Sequence, residues 1–266
     1  MKKIIQYLAA LSLLPVISCE ELTNWDIQSN ESYVVADCII TNELKKQELW
    51  LYKSINTMGE MPQGISGASI MLGDGTQAIV FNEDLSEPGH YVSDIPFMAS
   101  AGQEYRLTIA TGSYNDTAYA SVTGVSPLDA MDIMASDTLL RYIYHDTPGA
   151  SMTEILYDWS DNPAYCAVYG SCLATEAFYT LNNIDPSKEF APARIEIFFP
   201  NQTQIIRRKY SLTDDHQRFI RSLLLETDWR GGLFDTEQGN IPTNFRHGIR
   251  GWFAACSVVS DTTYVE

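Results

Sequence analysis

Apolar and polar residues alternate with a period of two through most of the first half of the chain. Ser32–Thr41 (SYVVADCIIT) and Glu48–Ser54 (ELWLYKS) are dense in Val, Ile, Tyr and Trp, the residues that fit a pleated surface. Ala68, Ile70 and Leu72 alternate up to Gly73-Asp74-Gly75; the Asp-Gly step predicts a tight hairpin with a return strand over Gln77–Phe81. Gly89–Ser93, Tyr105–Ala110 and Thr117–Val125 follow, with Tyr105, Leu107 and Ile109 on one face of their strand. About seven short strands broken by Gly, Pro, Asn and Asp predict an antiparallel β-sandwich over residues 32–125. The connections are too short for parallel crossovers.

Val125–Asp137 holds Pro127 and no sustained period, so it reads as a linker. Residues 138–266 form a second β-rich region. Its strand candidates are Leu139–His145, Glu154–Trp159, Tyr165–Tyr169, Ala193–Phe199 and Ile205–Tyr210, with a turn at Asp146-Thr147-Pro148-Gly149. One helix is predicted near residues 213–226. Ser211 and Thr213 offer capping hydroxyls, Asp214 and Asp215 charge the first turn, and Phe219, Ile220, Leu223 and Leu224 recur at helical spacing. Gly231-Gly232 is the expected stop. The fold class is mainly β: a sandwich, then a second β-rich domain with one helix.

The N-terminus carries an address. Lys2 and Lys3 precede an apolar run from Ile4 to Ile17, which at about 1.5 Å per residue is too short to span a bilayer. Residues 1–18 therefore read as a signal peptide. Val16-Ile17-Ser18-Cys19 resembles the relaxed lipobox of Bacteroidota lipoproteins, which implies that Cys19 is acylated (palmitate among the chains) and becomes the mature first residue. The alternative is an ordinary secretory peptide with Cys19 a structural thiol. Glu20-Glu21 resembles an outer-surface export tag, and residues 19–31 read as a lipidated tether.

Export permits disulfides among the remaining cysteines, Cys38, Cys166, Cys172 and Cys256. Cys166 and Cys172 favour local loop closure. Cys38 and Cys256 sit in β-like runs as buried thiols or as a bridge between the chain's two ends. No histidine lies at zinc spacing from the cysteines.

With 34 Asp+Glu against 17 Lys+Arg, the net charge is −17. Such a chain repels nucleic acid. No nucleophile elbow, zinc-protease helix, phosphate loop or dinucleotide fingerprint is present, so no catalytic residue, metal or cofactor is assigned. His145-Asp146 reads as a strand end meeting an Asp turn, and Asp74, Asp84, Asp158 and Asp161 as turn residues rather than a calcium loop. Arg207-Arg208-Lys209, the one basic cluster, reads as a strand edge guarded by charge. Tyr157, Trp159, Tyr165, Tyr169, Phe178 and Tyr179 surround the Cys166–Cys172 loop; they are candidates for stacking on a sugar or anchoring a partner, or else core filling.

Two long stretches carry a wider resemblance. The order VVADCIIT … ISGASIMLGDGTQAIVF … PGHYVS … AGQEYRLTIATGSYNDTAYASVTGVSPLD, with the tail GGLFDTEQGNIPTNFRHGIRGWFAACSVVSDTTYV, resembles domain-of-unknown-function family 4249. Asp37-Cys38 departs from it, since the family more often has Glu-Gly there. The resemblance implies an Ig-like/transthyretin-like sandwich at the N-terminus. It also implies a non-catalytic lipoprotein, lipid-anchored in the outer membrane and facing the periplasm or the cell surface. Its expected partner is a TonB-dependent outer-membrane receptor, which it would assist in nutrient binding or uptake. The alternatives are an exported glycan-acting hydrolase, with a carboxylate pair among the many acids, and a surface adhesion module.

Overall fold

A computed structural model describes residues 32–55, 59–112, 114–183, 185–232 and 241–266. The signal segment, Cys19 and the tether lie outside the described residues. The first region supplies β1 (Val34–Thr41), β2 (Glu48–Lys53), β3 (Gln63–Gly64), β4 (Ser69–Gly73), β5 (Ala78–Glu83), β6 (His90–Ser93), β7 (Glu104–Thr111) and β8 (Tyr114–Ser121). The second supplies β9 (Asp132–Ser136), β10 (Leu139–Ile143), β11 (Ser151–Asp158), α1 (Pro163–Tyr169), β12 (Leu173–Thr180), α2 (Pro186–Glu189) and β13 (Phe198–Phe199). It ends with β14 (Thr203–Ser211), α3 (Asp214–Glu226), β15 (Arg250–Cys256) and β16 (Val258–Val265). The molecule is mainly β. Among the described residues no helix is long and apolar enough to cross a membrane.

The first sheet runs β15-β1-β2-β6-β5-β4-β7-β8, with β3 on β2. Its strand pairs are antiparallel except β1 with β15, which is parallel. The sheet curls like a sandwich over one core, because the alternation buries Ala36, Cys38, Ile40, Leu49, Leu51, Leu107 and Ile109 on a single face. Asn244 closes the curl, its amide donating to the carbonyls of Tyr119 on β8 and Phe253 on β15. The fully buried Asp116 carboxylate accepts the amides of Thr117, Arg246, His247 and Ile249 at 2.7–2.9 Å. Four donors on one carboxylate pin the loop that feeds β15.

The parallel pair is the fold's central device. A strand from the far end of the chain completes the first sheet, and Phe245, Ile249, Phe253 and Ala255 fill its core. One residue later the chain enters another sheet, β12-β11-β14-β16. Ser257 is the crossing point, fixed by reciprocal bonds with Ser211 at 2.9 Å and by Asn42, which accepts the Val258 amide at 2.7 Å. The boundaries 32–125 and 138–266 therefore do not separate self-contained sheets. The second sheet packs on a small sheet, β13-β10-β9, around Tyr142, Ile155, Tyr157, Trp159, Phe199 and Ile205.

Several local expectations are corrected. The linker span contains β9, which turns into β10 through Asp137 at φ 53°. Tyr165–Tyr169 is not a strand: Asn162 caps α1 by accepting the Tyr165 amide, Pro163 begins it, and Gly170 ends it in the left-handed region at φ 87°. Of Ala193–Phe199 only Phe198–Phe199 pairs, and Ile195 is exposed. Helix α3 stops at Glu226, well before Gly231. Arg207 and Lys209 guard no edge, for β14 is central and both are buried. Arg207 bonds Asp261, the Tyr142 hydroxyl and the Asp129 carbonyl. Lys209 donates to Ser126, Thr147 and the Pro127 carbonyl, clamping the linker. Burial lowers the Lys209 ammonium below its ordinary pKa.

Candidate functional site

Alternation along β1 decides which face does what. Val34, Ala36, Cys38 and Ile40 point into the first core, which leaves Val35, Asp37 and Ile39 on the opposite face. That face also carries Trp252 and Ala254 of β15, and it looks towards β11, β12 and α3. The surfaces do not close completely. A cavity of about 610 Å³ remains between them, within the range of small-molecule sites. The first sheet contributes Val35, Asp37, Ile39, Tyr52 and Trp252; β11 and β12 contribute Met152, Glu154 and Tyr179; α3 contributes His216, Phe219, Ile220 and Leu223.

Stacked rings form one wall. Phe219 lies parallel to Trp252 with centroids 4.8 Å apart, and His216 lies over the same indole at 5.9 Å. Thr213 sets their position by capping α3, accepting the His216 amide at 3.2 Å. Burial brings the His216 imidazole down to about 4, so it is neutral at ordinary pH. Glu154 accepts the Tyr210 hydroxyl at 2.6 Å. Asp37 is the open position of an otherwise covered strand. The protein around it raises its carboxyl above the ordinary value, and its charge in turn helps burial raise the Tyr52 phenol. At the rim the Arg250 guanidinium sits over Tyr33, 5.3 Å from the ring centroid.

No Ser, Thr or Cys nucleophile lines the cavity beside a base, and the one histidine is held neutral by burial alone. A family model described as Domain of unknown function (DUF4249) matches residues 20–262. The chain belongs to the DUF4249 family. Comparison with curated proteins finds no match.

Of the aromatic sequence candidates, Tyr179 lines the cavity of this DUF4249 chain, Phe178 stacks on Tyr144, and the others lie elsewhere. Tyr157 and Trp159 are fully buried in the second core and present no face to a ligand. Tyr165 packs edge-on to Trp159 and bonds the Phe198 carbonyl, while Tyr169 is exposed on α1. Cys166 and Cys172 are disulfide-bonded beside them. Cys38 and Cys256 are free and buried. They cannot join, because Cys38 pairs in register with Phe253 and faces the first core, whereas Cys256 pairs with Thr41 and faces the second sheet. Burial pushes the Cys256 thiol up to about 12, an inert state.

His145 and Asp146 also part company: His145 meets Asp132 at 3.1 Å, and Asp146 holds Lys188 and Thr180. Asp74 is a turn acceptor, brought down to about 2 chiefly by the Thr76 hydroxyl. Among the described residues no group of three or more His, Cys, Asp or Glu is placed to hold a metal. The cavity residues had one sequence signal. Val34–Ile40 is apolar on both faces except at Asp37, the mark of a strand covered on both sides but left open at one acid.

Proposed function

We propose that this chain is a non-catalytic capture protein of the outer membrane. Lipidated Cys19 tethers it, the cavity between β1/β15, β11/β12 and α3 holds a small ligand, and a TonB-dependent transporter receives that ligand. The observation that carries the reading is the cavity itself, roofed by a helix and floored by two sheets whose strands are locked together by β15 and β16. Rigid walls favour binding, since little order has to be created when a ligand enters. A lipid anchor would confine the site near the transporter and raise the effective ligand concentration there.

Two measurements on native membranes test this. The chain should sediment with outer membranes and leave them in the Cys19→Ala variant, and a TonB-dependent receptor should co-purify with it. Native mass spectrometry should detect a small bound mass that Leu223→Trp, which fills the cavity, excludes. Recovery of a soluble chain still bearing residues 1–18, with neither receptor nor bound mass, would overturn the reading.

A second reading draws on the same walls. Asp37 and Glu154 both line the cavity, the residue type a glycan hydrolase uses in pairs. Turnover of aryl glycosides that is abolished by both Asp37→Asn and Glu154→Gln would replace capture with catalysis.

A further inference from the structure

We propose that the cavity selects an organic monocation: an ammonium head set against the Asp37 carboxylate, with an apolar body laid on Trp252 and Phe219. This inference rests on the capture reading and names the ligand class.

Asp37 is the anomaly from which it starts. Among the described residues no basic side chain and no hydrogen-bond donor reaches its carboxylate. By contrast Asp116 takes four amides, Asp261 takes Arg207, and Glu154 takes a tyrosine hydroxyl. The Asp37 carboxylate stands open at the cavity wall with no protein group to compensate it, so it is free to meet a ligand. Nothing in the sheet needs it there, since its neighbours Val35 and Ile39 on the same face are apolar.

Its surroundings suit a cation. Register sets Asp37 directly between two tryptophans on the same face, Trp252 of β15 and Trp50 of β2. Indole faces attract cations, and a carboxylate among aromatic rings is the arrangement that binds ammonium groups. Tyr52 adds a ring beside it. A hard metal ion fits poorly, because it takes six or more oxygen ligands and no such group of acids gathers here. An anion would meet Asp37 and Glu154 inside the cavity, with only Arg250 at the rim to receive it. The net charge of −17 favours a cationic ligand over an anionic one at long range as well.

Three probes with one body and different heads separate the possibilities: 4-phenylbutylamine, 4-phenylbutanol and 4-phenylbutyrate. Each is titrated calorimetrically against the full chain in a maltoside detergent, up to millimolar concentration. The amine should bind at least about tenfold tighter than the alcohol, and the butyrate weakest. Asp37→Asn should remove the amine's advantage while leaving the alcohol unchanged, and its melting temperature should not fall. Trp252→Leu and, as the milder change, Phe219→Leu should weaken amine and alcohol together. If the alcohol or the butyrate binds as tightly as the amine and Asp37→Asn changes nothing, the cation inference falls and the capture cavity stands. If no probe binds, or none responds to either aromatic variant, the cavity is not the binding site and both fall.

Discussion

His216 occupies the first turn of α3 with its ring against Phe219 and Trp252. Its imidazole titrates near 4 in the folded protein because burial disfavours the charged form, whereas an unfolded histidine titrates near 6.5. Between those values the unfolded chain binds more protons, so stability rises with pH across this window and is lost as pH falls through it. The wild-type protein should lose about 2 kcal/mol through this residue alone between about pH 7 and pH 4.5. His216→Leu, of similar volume, should melt within a few degrees of wild type at neutral pH and show a shallower acid slope. Melting curves at the two pH values check this; parallel slopes would place the buried titration elsewhere. Asp37 acts in the opposite sense, since its raised carboxyl favours the folded protein at lower pH. Its conversion to asparagine is therefore expected to cost nothing.

At the scale of elements, the β1–β15 pair depends on one glycine. Gly251 has φ +92°, and a Cβ there would stand 2.1 Å from the Ala36 carbonyl oxygen. Backbone strain and collision with the paired strand both oppose Gly251→Ala, which should cost at least about 3 kcal/mol. Urea unfolding should show the midpoint shift, and binding to the cavity should disappear with the register of Trp252. An unchanged midpoint would mean that β15 pairs with β1 in some other way. The sequence shows the strands that alternate and the helix that is capped, because both signals are local: β1, β2, β4 to β8 and α3 all lie within a few residues of their expected limits. It misleads where a local pattern serves a different environment. Tyr165–Tyr169 is aromatic enough for a strand, but Asn162-Pro163 and Gly170 bracket a helix. Arg207-Arg208-Lys209 looks like a solvated edge until Asp261, Asp129 and the linker carbonyls are brought around it. Trp252 and Asp37 become a site only through a pairing across more than two hundred residues, which no periodicity encodes.

On the scale of the whole molecule, β15 and β16 lie in different sheets with Ser257 alone between them. Each sheet therefore relies on the same terminal stretch of chain, and neither can lose it without exposing a strand edge. For the first sheet the loss would be severe. The β1 edge would lie open along Val35–Thr41, and Phe245, Ile249, Phe253 and Ala255 would leave the core. An unpaired apolar edge invites association with another chain, and deleting several buried large side chains costs several kcal/mol. At about 2–5 kcal/mol for each large side chain, that consumes most of a total stability of about 5–15 kcal/mol. A fragment of residues 32–125 should consequently fail to fold, although its strand pattern alone reads as a complete sandwich. It should elute as aggregate and lack dispersed amide resonances, while the full chain melts in one calorimetric transition in which both sheets are lost together. Supplying residues 241–266 as a separate peptide should restore dispersion to the fragment, because that peptide carries β15 and the loop held by Asp116. A monomeric 32–125 fragment that melts cooperatively on its own would show that the terminal strand decorates the first sheet instead of completing it. The cavity walls would then be free to separate, and a binding site built between them would lose its rigid floor.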